Sequence, residues 1–495
     1  MDMMLVGTHI ARWGRRQPGK TALIDGERRL NWGELDRRSD RVTAALQARG
    51  IRRGDKIGFI AEACLEWVIA YLGIVKLGAV AVPLNYRLTP AELADSYGDA
   101  ECRLLFTTRE FNGAVQAESV SLEELAAFET DRIDDAPPAE VHAEDPNVIL
   151  FTGGTTGRSK GVVLTHANLF WNSVNMVTDT HMRQDDNTIL ATPLHHSAAL
   201  NCWLLPHLYL GATATILRKY SAEAMLRAIA GARATNGFTP PSMARELFLH
   251  PLARELDIAC FKRWYIGGGI LPRQDREKIH ALLPDARIYY QYGITEAGPI
   301  ATVLREEDYE AAPDSIGRAF TNIEACILRE DLSPADADEV GELCLRGPSV
   351  TPGYYKRPEA NKAAFHRGWL RTGDMARMDA AGFIYFHDRL KDMIKTGGLN
   401  VFSQEVEYVL ARHPAVREVA VLGLPSEKWG EEVTAIVALR DGAAASPEEL
   451  AAHARATLAG FKVPKSFRFI PYAEMPINYS GKILKRELRA RLIPK

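Results

Sequence analysis

The residues with the clearest capacity for chemistry form a loop of glycines and hydroxyl groups, FTGGTTGRSKG at 151–161, which directly follows the apolar run VIL. Glycines let the main chain approach an anion closely. The serine and threonine hydroxyls and Lys160 add donors and a positive charge, and this combination is typical of a phosphate-binding loop. A Walker A loop needs glycine before its lysine and Ser or Thr after it, whereas Ser159 precedes Lys160 and Gly161 follows. The sequence therefore predicts phosphate binding but disfavours a P-loop kinase or ATPase.

The composition excludes several classes of protein. The 495 residues are 46% hydrophobic and 25% charged, with a formal net charge of −3, so the chain can build a core and has no overall basic surface for nucleic acid or an anionic membrane. Six cysteines occur without a C-x-x-C pair, which disfavours a disulfide scaffold or structural zinc. The sequence has no signal-peptide pattern and no apolar run of about 20 residues. We therefore expect a cytoplasmic protein with no nucleic-acid partner and no membrane-spanning segment.

The hydrophobic pattern predicts the elements that must position this loop. Residues 55–63 and 79–85 have the pattern of buried strands, and the apolar helix predicted at 65–78 lies between them. Such alternation indicates a parallel sheet covered by helices. Short alternating strands from about residue 315 suggest a smaller β-rich subdomain, and a small α+β domain begins near residue 390. We therefore predict an N-terminal domain at 1–389 and a C-terminal domain at 390–495.

Seven segments, in this order along the chain, resemble the signatures of the adenylate-forming superfamily. This superfamily includes acyl-CoA synthetases, aryl-CoA ligases, firefly luciferase and the adenylation domains of peptide synthetases. The segments are TGGTTGRSKG (152–161), QYGITEAG (291–298), DSIGRAF (314–320), GELCLRGPSVTPGYYKRPEAN (341–361), WLRTGDMA (369–376), DRLKDMIKTGGLNV (388–401) and NYSGKILKREL (478–488). The resemblance implies an α/β fold: two parallel-sheet subdomains, a small β-barrel-like subdomain and a small mobile α+β C-terminal domain.

The resemblance also implies a site for ATP and Mg²⁺. Tyr292 would stack on adenine, Thr295 and Glu296 would lie at the α-phosphate and the magnesium ion, and Asp374 and Arg389 would bind the ribose and the nucleotide. A carboxylate beside phosphate oxygens is a common setting for Mg²⁺. Further nucleotide contacts are expected from Thr152, Thr155, Thr156, Gly157, Lys160, Gly268, Gly269 and Gly293.

Two steps of chemistry follow from the same resemblance. A carboxylate attacks the α-phosphorus of MgATP to give an acyl-adenylate and pyrophosphate, and a thiol then displaces AMP. Lys482 would neutralise the charge that develops in the first step. Lys391 would be the hinge about which the small domain moves, and Gly397 and Gly398 would help to form the thiol tunnel. With Lys482, the residues expected to act in catalysis are Thr295, Glu296 and His196.

The acid pocket is expected around TPLHHSAALNCWLL at 192–205, where His196 takes the usual histidine position and His195 departs from the family's aromatic residue. No acidic residue occurs between 187 and 221, which disfavours an α-amino acid. Gln291 stands where glycine is commoner in relatives. The expected lining is apolar and suits a fatty or aromatic acid, although the same side chains could simply belong to the core. The expected lining residues are His196, Ala199, Trp203, Gly268, Gly293 and Ile294.

The thiol acceptor and the class of protein have alternatives. Coenzyme A is favoured as co-substrate, because the chain lacks the insertion after the hinge that is usual in ligases that load carrier proteins. Transfer to the phosphopantetheine arm of an acyl carrier protein is the alternative. A nucleotide sensor without turnover would have lost chemistry-bearing residues, and these residues are intact. A luciferase-type oxygenase shares every nucleotide residue and stays open as a side activity. A homodimer is the commonest oligomer for such a chain.

Overall fold

The computed structural model describes residues 3–130, 140–152, 159–269, 271–477 and 483–492. The chain divides into two compact units, Met1–Ala325 with Leu345–Leu370 and Cys326–Cys344 with Arg371–Lys495. This division differs from the predicted boundary between residues 389 and 390. A division into compact units does not show where a hinge lies. The domain boundary between residues 389 and 390 therefore stays a prediction.

The larger sheet of the first unit has nine strands, and its centre is parallel. Strands β14, β15 and β2 complete its two edges in antiparallel pairings. In spatial order the strands are β15 (Arg318–Ala319), β14 (Ile300–Leu304), β13 (Arg287–Gly293), β12 (Arg263–Gly267), β11 (Asn236–Thr239), β9 (Asn187–Leu190), β10 (Thr213–Ile216), β1 (Thr21–Asp25) and β2 (Arg28–Asn31). The carboxyl ends of its parallel strands therefore meet at one edge, where ligands bind in open α/β sheets.

The second sheet of this unit has seven strands, with parallel pairing from β7 to β6 and antiparallel pairing at β8 and β18. Its spatial order is β18 (Gly353–Tyr354), β8 (Lys160–Thr165), β7 (Pro146–Thr152), β4 (Val80–Pro83), β3 (Lys56–Ile60), β5 (Cys102–Thr107) and β6 (Ser119–Ser121). The strand–helix–strand alternation predicted from the sequence is confirmed here.

Helices cover both sheets. They are α1 (Val6–Arg16), α2 (Trp32–Ala48), α3 (Leu65–Leu77), α4 (Pro90–Asp99), α5 (Leu125–Phe128), α6 (His166–Thr180), α7 (Leu205–Leu210), α8 (Ala222–Ala232), α9 (Pro241–Leu249), α10 (Leu252–Glu255), α11 (Arg273–Leu282) and α12 (Pro358–Ala364). A π-helix at Ala198–Leu204 precedes α7. Helix α3 is buried along nearly its whole length, as its apolar sequence predicts. Among the described residues, no helix combines the length and the hydropathy needed to cross a bilayer.

The two faces of the nine-stranded sheet bury different side chains. Ile189, Trp264 and Ile288 belong to the apolar core on one face. Since successive side chains of a strand point to opposite faces, Tyr265 and its neighbours lie on the other face. There the ring of Trp203, from the π-helix, packs 6.0 Å from the ring of Tyr265. The second face is thus aromatic where the π-helix crosses it.

A further five-stranded sheet contains the points at which the two units divide. Its strands are β16 (Glu324–Leu328), β17 (Gly341–Arg346), β20 (Trp369–Met378), β19 (Phe365–His366) and β21 (Ile384–Arg389). The second unit continues with a five-stranded sheet of β23 (Leu399–Val401), β22 (Ile394–Thr396), β25 (Gly430–Leu439), β24 (Val416–Ser426) and β26 (Ser466–Phe469). Its helices are α13 (Ser403–Leu410), α14 (Pro447–Arg455) and α15 (Lys485–Leu492). The predicted α/β class, with parallel sheets, a smaller β-rich sheet and a C-terminal α+β part, is confirmed.

Candidate functional site

The phosphate-binding loop predicted from the sequence joins two antiparallel strands. Thr152 at the end of β7 lies directly opposite Lys160 at the start of β8, and the Thr152 hydroxyl donates to the Lys160 carbonyl over 3.4 Å. The predicted contacts Thr155, Thr156 and Gly157 lie outside the described residues. The hairpin nevertheless fixes where the loop begins and ends, so that Thr152 and Lys160 flank it.

Glu296 lies in a 3₁₀ turn, Thr295–Ala297, that directly follows β13. The Tyr354 hydroxyl donates to Glu296 Oε1 over 2.9 Å, and the Thr351 amide donates to the Glu296 carbonyl over 2.8 Å. Burial, and then the Glu296 carboxylate, raise the pKa of Tyr354, so the phenol stays a donor. The carboxylate is therefore fixed by a hydrogen bond from a second element.

Tyr354 also connects the carboxylate to the phosphate-loop hairpin. It lies on β18 opposite Val162 of β8, and Lys160 Nζ is 5.1 Å from the centre of its ring. A lysine at this distance from an aromatic face is attracted to the ring. Tyr354 thus contacts two residues predicted to bind nucleotide, Lys160 and Glu296. Our sequence reasoning gave it no role, although the GYY of its motif was visible.

Replacing Tyr354 by phenylalanine should lower kcat/KM for ATP about 10-fold. Hydrogen bonds to charged groups contribute about 1.5–3 kcal/mol, and Tyr354→Phe removes such a bond from Glu296 while keeping the ring beside Lys160. Steady-state kinetics with ATP varied at fixed magnesium would measure the change. The matched control is Tyr355→Phe, because the Tyr355 hydroxyl bonds instead to the exposed Glu101 at 3.1 Å. An equal effect of both variants would contradict the assignment.

Thr295 contacts the loop that follows β9. Its hydroxyl lies 3.1 Å from the Ser197 hydroxyl, so the two side chains share a hydrogen bond across 98 residues of sequence. The structure thereby brings the predicted α-phosphate contact next to the predicted acid pocket. Ser197 follows His196 directly and was missed by the sequence reasoning, because serine at this position carries no distinctive signal.

His196 and His195 are packed together, with ring centres 4.2 Å apart. The ring of Tyr86 stands edge-on to His195 at 5.0 Å. Burial, and then the charge of Arg87, lower the pKa of His196 to about 3. Burial, and then His196 and Arg87, lower the pKa of His195 well below its ordinary value. Both imidazoles are therefore neutral near pH 7. His196 can form a hydrogen bond with a carboxylate substrate and pack its ring against it, but it supplies no positive charge.

Acid should destabilise this protein through its buried histidines. Burial is the largest cause of a lowered pKa at His9 (about 4), His207 (about 4), His196 (about 3) and His195. A histidine in the unfolded chain takes up a proton near pH 6.5, whereas these buried histidines stay neutral in the folded chain at that pH. Their contribution to the stability of the folded protein is therefore complete above about pH 6.5, and it is lost as the pH falls toward the folded pKa values. Each contributes up to about 1.4 kcal/mol per pH unit in that window. The midpoint of urea unfolding should therefore fall clearly between about pH 7 and about pH 5, with a shallower fall in His196→Gln. An unchanged midpoint would contradict these pKa directions.

Besides His196, the residues predicted to line the acid pocket lie on the π-helix and at or just after the carboxyl ends of β12 and β13. Ala199 and Trp203 are buried within the π-helix, a rare element that is frequent at functional sites. Gly268 has a φ of +81°, which favours glycine. A side chain at Gly293 would overlap the Pro299 carbonyl, so glycine is required there by close approach of the main chain. The structure places the half-buried Ile294 directly after Gly293, Tyr292 on β13 before it, and Gly269 directly after Gly268.

The second unit holds another group of predicted residues. Asp374, fully buried, lies directly opposite Arg389 on the paired strands β20 and β21, and Arg389 Nε is 3.1 Å from Asp374 Oδ1. The Thr372 hydroxyl accepts from the Asp374 amide over 3.1 Å. The structure therefore brings together the two residues that the sequence assigned to the nucleotide. The predicted catalytic Lys482 lies outside the described residues.

Lys391 and the glycine pair follow on the same unit. Burial is the main cause that lowers the pKa of Lys391. Gly397 and Gly398 have φ of +57° and +80°, a conformation that favours glycine. A Cβ at Gly397 would lie 3.0 Å from the ring of Trp429, whose carbonyl accepts from the Gly397 amide over 2.8 Å. Any other residue at Gly397 would be strained, which accounts for glycine there whatever its role.

The described residues limit how a metal ion could be held. In that part of the chain, no group of three or more His, Cys, Asp or Glu side chains is arranged to bind a metal. A cation at Glu296 would therefore take most of its ligands from phosphate oxygens and water. This arrangement suits Mg²⁺ that arrives with a nucleotide, because Mg²⁺ keeps several waters and uses only one or two carboxylates.

Comparison with known proteins identifies the family. The AMP-binding enzyme family matches residues 10–355, and the AMP-binding enzyme C-terminal domain matches residues 405–482. Feruloyl-CoA synthase of an Amycolatopsis species is 36% identical over 98% of this chain and 99% of that protein. A long-chain fatty acid–CoA ligase of Mycobacterium tuberculosis is 31% identical over 93% of each.

A solved structure extends the comparison to the fold. The o-succinylbenzoate-CoA synthetase of Bacillus subtilis, in complex with its acyl-adenylate intermediate, has a TM-score of 0.87 and 28% identity, and 97% of each chain is covered. The family predicted from seven sequence segments is confirmed: the chain belongs to the AMP-binding enzymes of the adenylate-forming superfamily.

Proposed function

We propose that this protein is an AMP-forming acid–thiol ligase. It uses MgATP to convert a fatty or aromatic carboxylic acid into an acyl-adenylate and then transfers the acyl group to coenzyme A. The observation that carries the proposal is the hydrogen bond from Tyr354 to Glu296. It fixes a carboxylate beside the hairpin of the phosphate loop, while Thr295 of the same turn contacts the loop that carries His196.

In the first step, an oxygen of the substrate carboxylate attacks the α-phosphorus of ATP, and the bond from that phosphorus to the pyrophosphate oxygen breaks. Thr295 donates a hydrogen bond to the α-phosphate, and Lys160 balances the charge of the outer phosphates. Glu296 would hold the Mg²⁺ that arrives with the nucleotide, and the ion would neutralise charge on the phosphate oxygens. Lys482 neutralises charge on the α-phosphate as the new bond forms. Fixed charges of this kind stabilise a transition state without reorganisation.

In the second step, the sulfur of the thiol attacks the acyl carbon, and the bond from that carbon to the AMP oxygen breaks. The thiol gives up its proton, and AMP leaves with the electron pair. Asp374 and Arg389 hold the nucleotide through both steps, and Lys391 is the proposed hinge between them. Two easier displacements replace one difficult condensation, which is the general benefit of a covalent intermediate.

The acid is fatty or aromatic because its proposed pocket is lined by neutral and apolar groups. His196 is uncharged, Ala199 and Trp203 are buried, and Gly268 leaves space at the end of β12. The relatives support this range, since one is named a feruloyl-CoA synthase and another a long-chain fatty acid–CoA ligase. Coenzyme A is the proposed acceptor, with a carrier-protein phosphopantetheine arm as the alternative.

The setting of the reaction is proposed to be the cytoplasm. All six cysteines lie within the described residues and are free thiols, and free thiols are typical of a reducing compartment. A homodimer is the proposed oligomer, because two-fold dimers are the commonest assembly of soluble chains. Light scattering coupled to size exclusion would give the oligomer directly.

The test is an ATP-dependent pyrophosphate-release screen with graded fatty acids beside benzoate- and cinnamate-type acids, each with and without coenzyme A. Release with one acid class, together with a CoA thioester detected by mass spectrometry, is the expected result. Release without a thioester would move the acceptor to a carrier protein. No release with any acid, despite measurable ATP binding, would refute the ligase and support a nucleotide sensor.

A further inference from the structure

The main chain of Tyr354 lies at the edge of the seven-stranded sheet. In the described part of the chain, its strand β18 is the edge strand of that sheet and pairs with β8 on one side. On that side, the Tyr355 amide donates to the Gly161 carbonyl over 2.8 Å. Successive residues of a strand direct their amides and carbonyls to opposite sides, so those of Tyr354 face the open edge. They can therefore bond to a group from another element.

The side chain of Asn361, from α12, supplies that group. Its Oδ1 accepts from the Tyr354 amide over 2.6 Å, and its Nδ2 donates to the Tyr354 carbonyl over 3.1 Å. A carboxamide carries an acceptor and a donor side by side, so this one side chain takes the place of a neighbouring strand. Both main-chain groups of Tyr354 are thereby fixed, and the direction in which its side chain leaves the main chain is fixed with them.

Two residue choices in this segment are accounted for by the contact. A Cβ at Gly353 would lie 2.7 Å from Asn361 Oδ1, and Gly353 has a φ of +143°, so glycine permits the close approach. Asn361 lies inside α12, although asparagine is a weaker helix former than alanine or leucine. Neither residue is favoured by its local structure alone. Both are explained if the bond pair to Tyr354 matters.

The fixed main chain directs the phenol of Tyr354. Its hydroxyl donates to Glu296 Oε1 over 2.9 Å, and Lys160 Nζ lies 5.1 Å from the centre of its ring. The hydroxyl is at the far end of the side chain, so a small rotation of the main chain moves it by a larger distance. Hydrogen bonds weaken steeply away from their preferred geometry. The bond to Glu296 therefore depends on how firmly the Tyr354 main chain is held.

Building on the function proposed above, and on its assignment of Mg²⁺ to Glu296, we propose that Asn361 is a positioning residue for the metal-dependent part of ATP binding. Asn361 holds the main chain of Tyr354, and Tyr354 holds the Glu296 carboxylate. Outer partners of this kind orient a metal-binding side chain, and their loss commonly weakens metal affinity 10-fold or more. Asn361 acts through these two residues and is not itself a ligand of the nucleotide.

Calorimetric titration with ATP, in magnesium or in EDTA, tests this role without any acid substrate. Asn361→Ala should raise the dissociation constant of MgATP about 5- to 10-fold and that of metal-free ATP less than about 2-fold. Alanine is the best helix former, so α12 is kept. Asn361→Asp retains the acceptor for the Tyr354 amide and should raise the dissociation constant of MgATP only about 3-fold. A defect of the fold would weaken binding of both forms of ATP.

A double variant separates positioning from a general weakening of the structure. Tyr354→Phe removes the hydroxyl that Asn361 is proposed to direct, so adding Asn361→Ala should weaken MgATP binding less than about 2-fold further. Independent losses would instead multiply, to about 50- to 100-fold. The matched control is Lys362→Ala, which changes an exposed position of the same helix and should leave both dissociation constants as they are. If Asn361→Ala fails to fold, Asn361→Asp carries the same comparison.

The outcomes distinguish this inference from the function on which it rests. An unchanged dissociation constant in Asn361→Ala, equal weakening of MgATP and metal-free ATP, or losses that multiply in the double variant would overturn the role of Asn361 while the acid–thiol ligase stands. The expected variant effects, without pyrophosphate release from any acid, would overturn the ligase and leave the positioning role. ATP binding that is independent of magnesium in the unmodified protein would overturn both the assignment of Glu296 and this inference.

Discussion

Lys482→Gln should slow acyl-adenylate formation about 100- to 1,000-fold, the usual loss when one fixed donor to a developing negative charge is removed. Glutamine keeps much of the length of lysine but has no charge. As the substrate carboxylate approaches the α-phosphate, two negatively charged groups come into contact, and a cation beside them lowers the barrier. Thioester formation from a pre-formed acyl-adenylate brings no such pair together, so that half-reaction should be retained.

Acid-dependent exchange of pyrophosphate into ATP would measure the first half-reaction, and CoA-dependent consumption of synthetic acyl-adenylate would measure the second. The matched control is Lys465→Gln, which removes the same charge from the predicted C-terminal domain. Among the described residues, Lys465 Nζ donates to the Gly460 carbonyl at 3.1 Å. Equal loss of both half-reactions in Lys482→Gln would contradict the assigned role.

Glu296→Gln should lower kcat/KM for MgATP about 100-fold and raise the magnesium concentration needed for half-maximal rate. Metal ions stabilise transferring phosphoryl groups by several kcal/mol, and Glu296 is the carboxylate proposed to hold the ion. Glutamine has the same shape and can still accept from Tyr354, so the turn should stay folded.

A magnesium titration at several ATP concentrations would separate the two effects. Glu307→Gln is the control. Glu307 lies shortly after β14 of the same sheet, and its carboxylate forms a surface ion pair with Arg287 at 3.0 Å. If Glu296→Gln kept the magnesium dependence of the unmodified protein, the carboxylate would not be the magnesium ligand.

The local pattern of the sequence predicted the elements that it encodes directly. The apolar helix expected at 65–78 is observed at Leu65–Leu77, and the strand expected at 55–63 is observed at Lys56–Ile60. Both are buried along most of their length, so most of their residues are apolar. The order of strands in the sheets was not readable, because β1 pairs with β10, which follows it by about 190 residues. No periodicity within either strand specifies such a partner.

The residues of the candidate site also fall into two groups, those that the sequence predicted and those that it did not. Residues inside recognisable segments, such as Asp374 with Arg389 and Glu296 with Thr295, were named from sequence and lie next to each other in the structure. The hydrogen bond from Tyr354 to Glu296 spans 58 residues and depends on β18 lying beside β8. The burial of Gln291, whose Oε1 has no hydrogen-bond partner among the described residues, was equally invisible, since burial arises only when the sheet packs against the rest of the chain.

The central claim is that a substrate carboxylate attacks the α-phosphorus of ATP. Its most direct test uses an accepted acid labelled with ¹⁸O in both carboxylate oxygens, with mass spectrometry of the products after turnover with coenzyme A. The attacking oxygen stays on phosphorus when the thiol displaces AMP, so the account predicts one labelled oxygen in AMP and none in pyrophosphate. Label in inorganic phosphate, with ADP as the product, would show attack on the terminal phosphate instead and contradict the account.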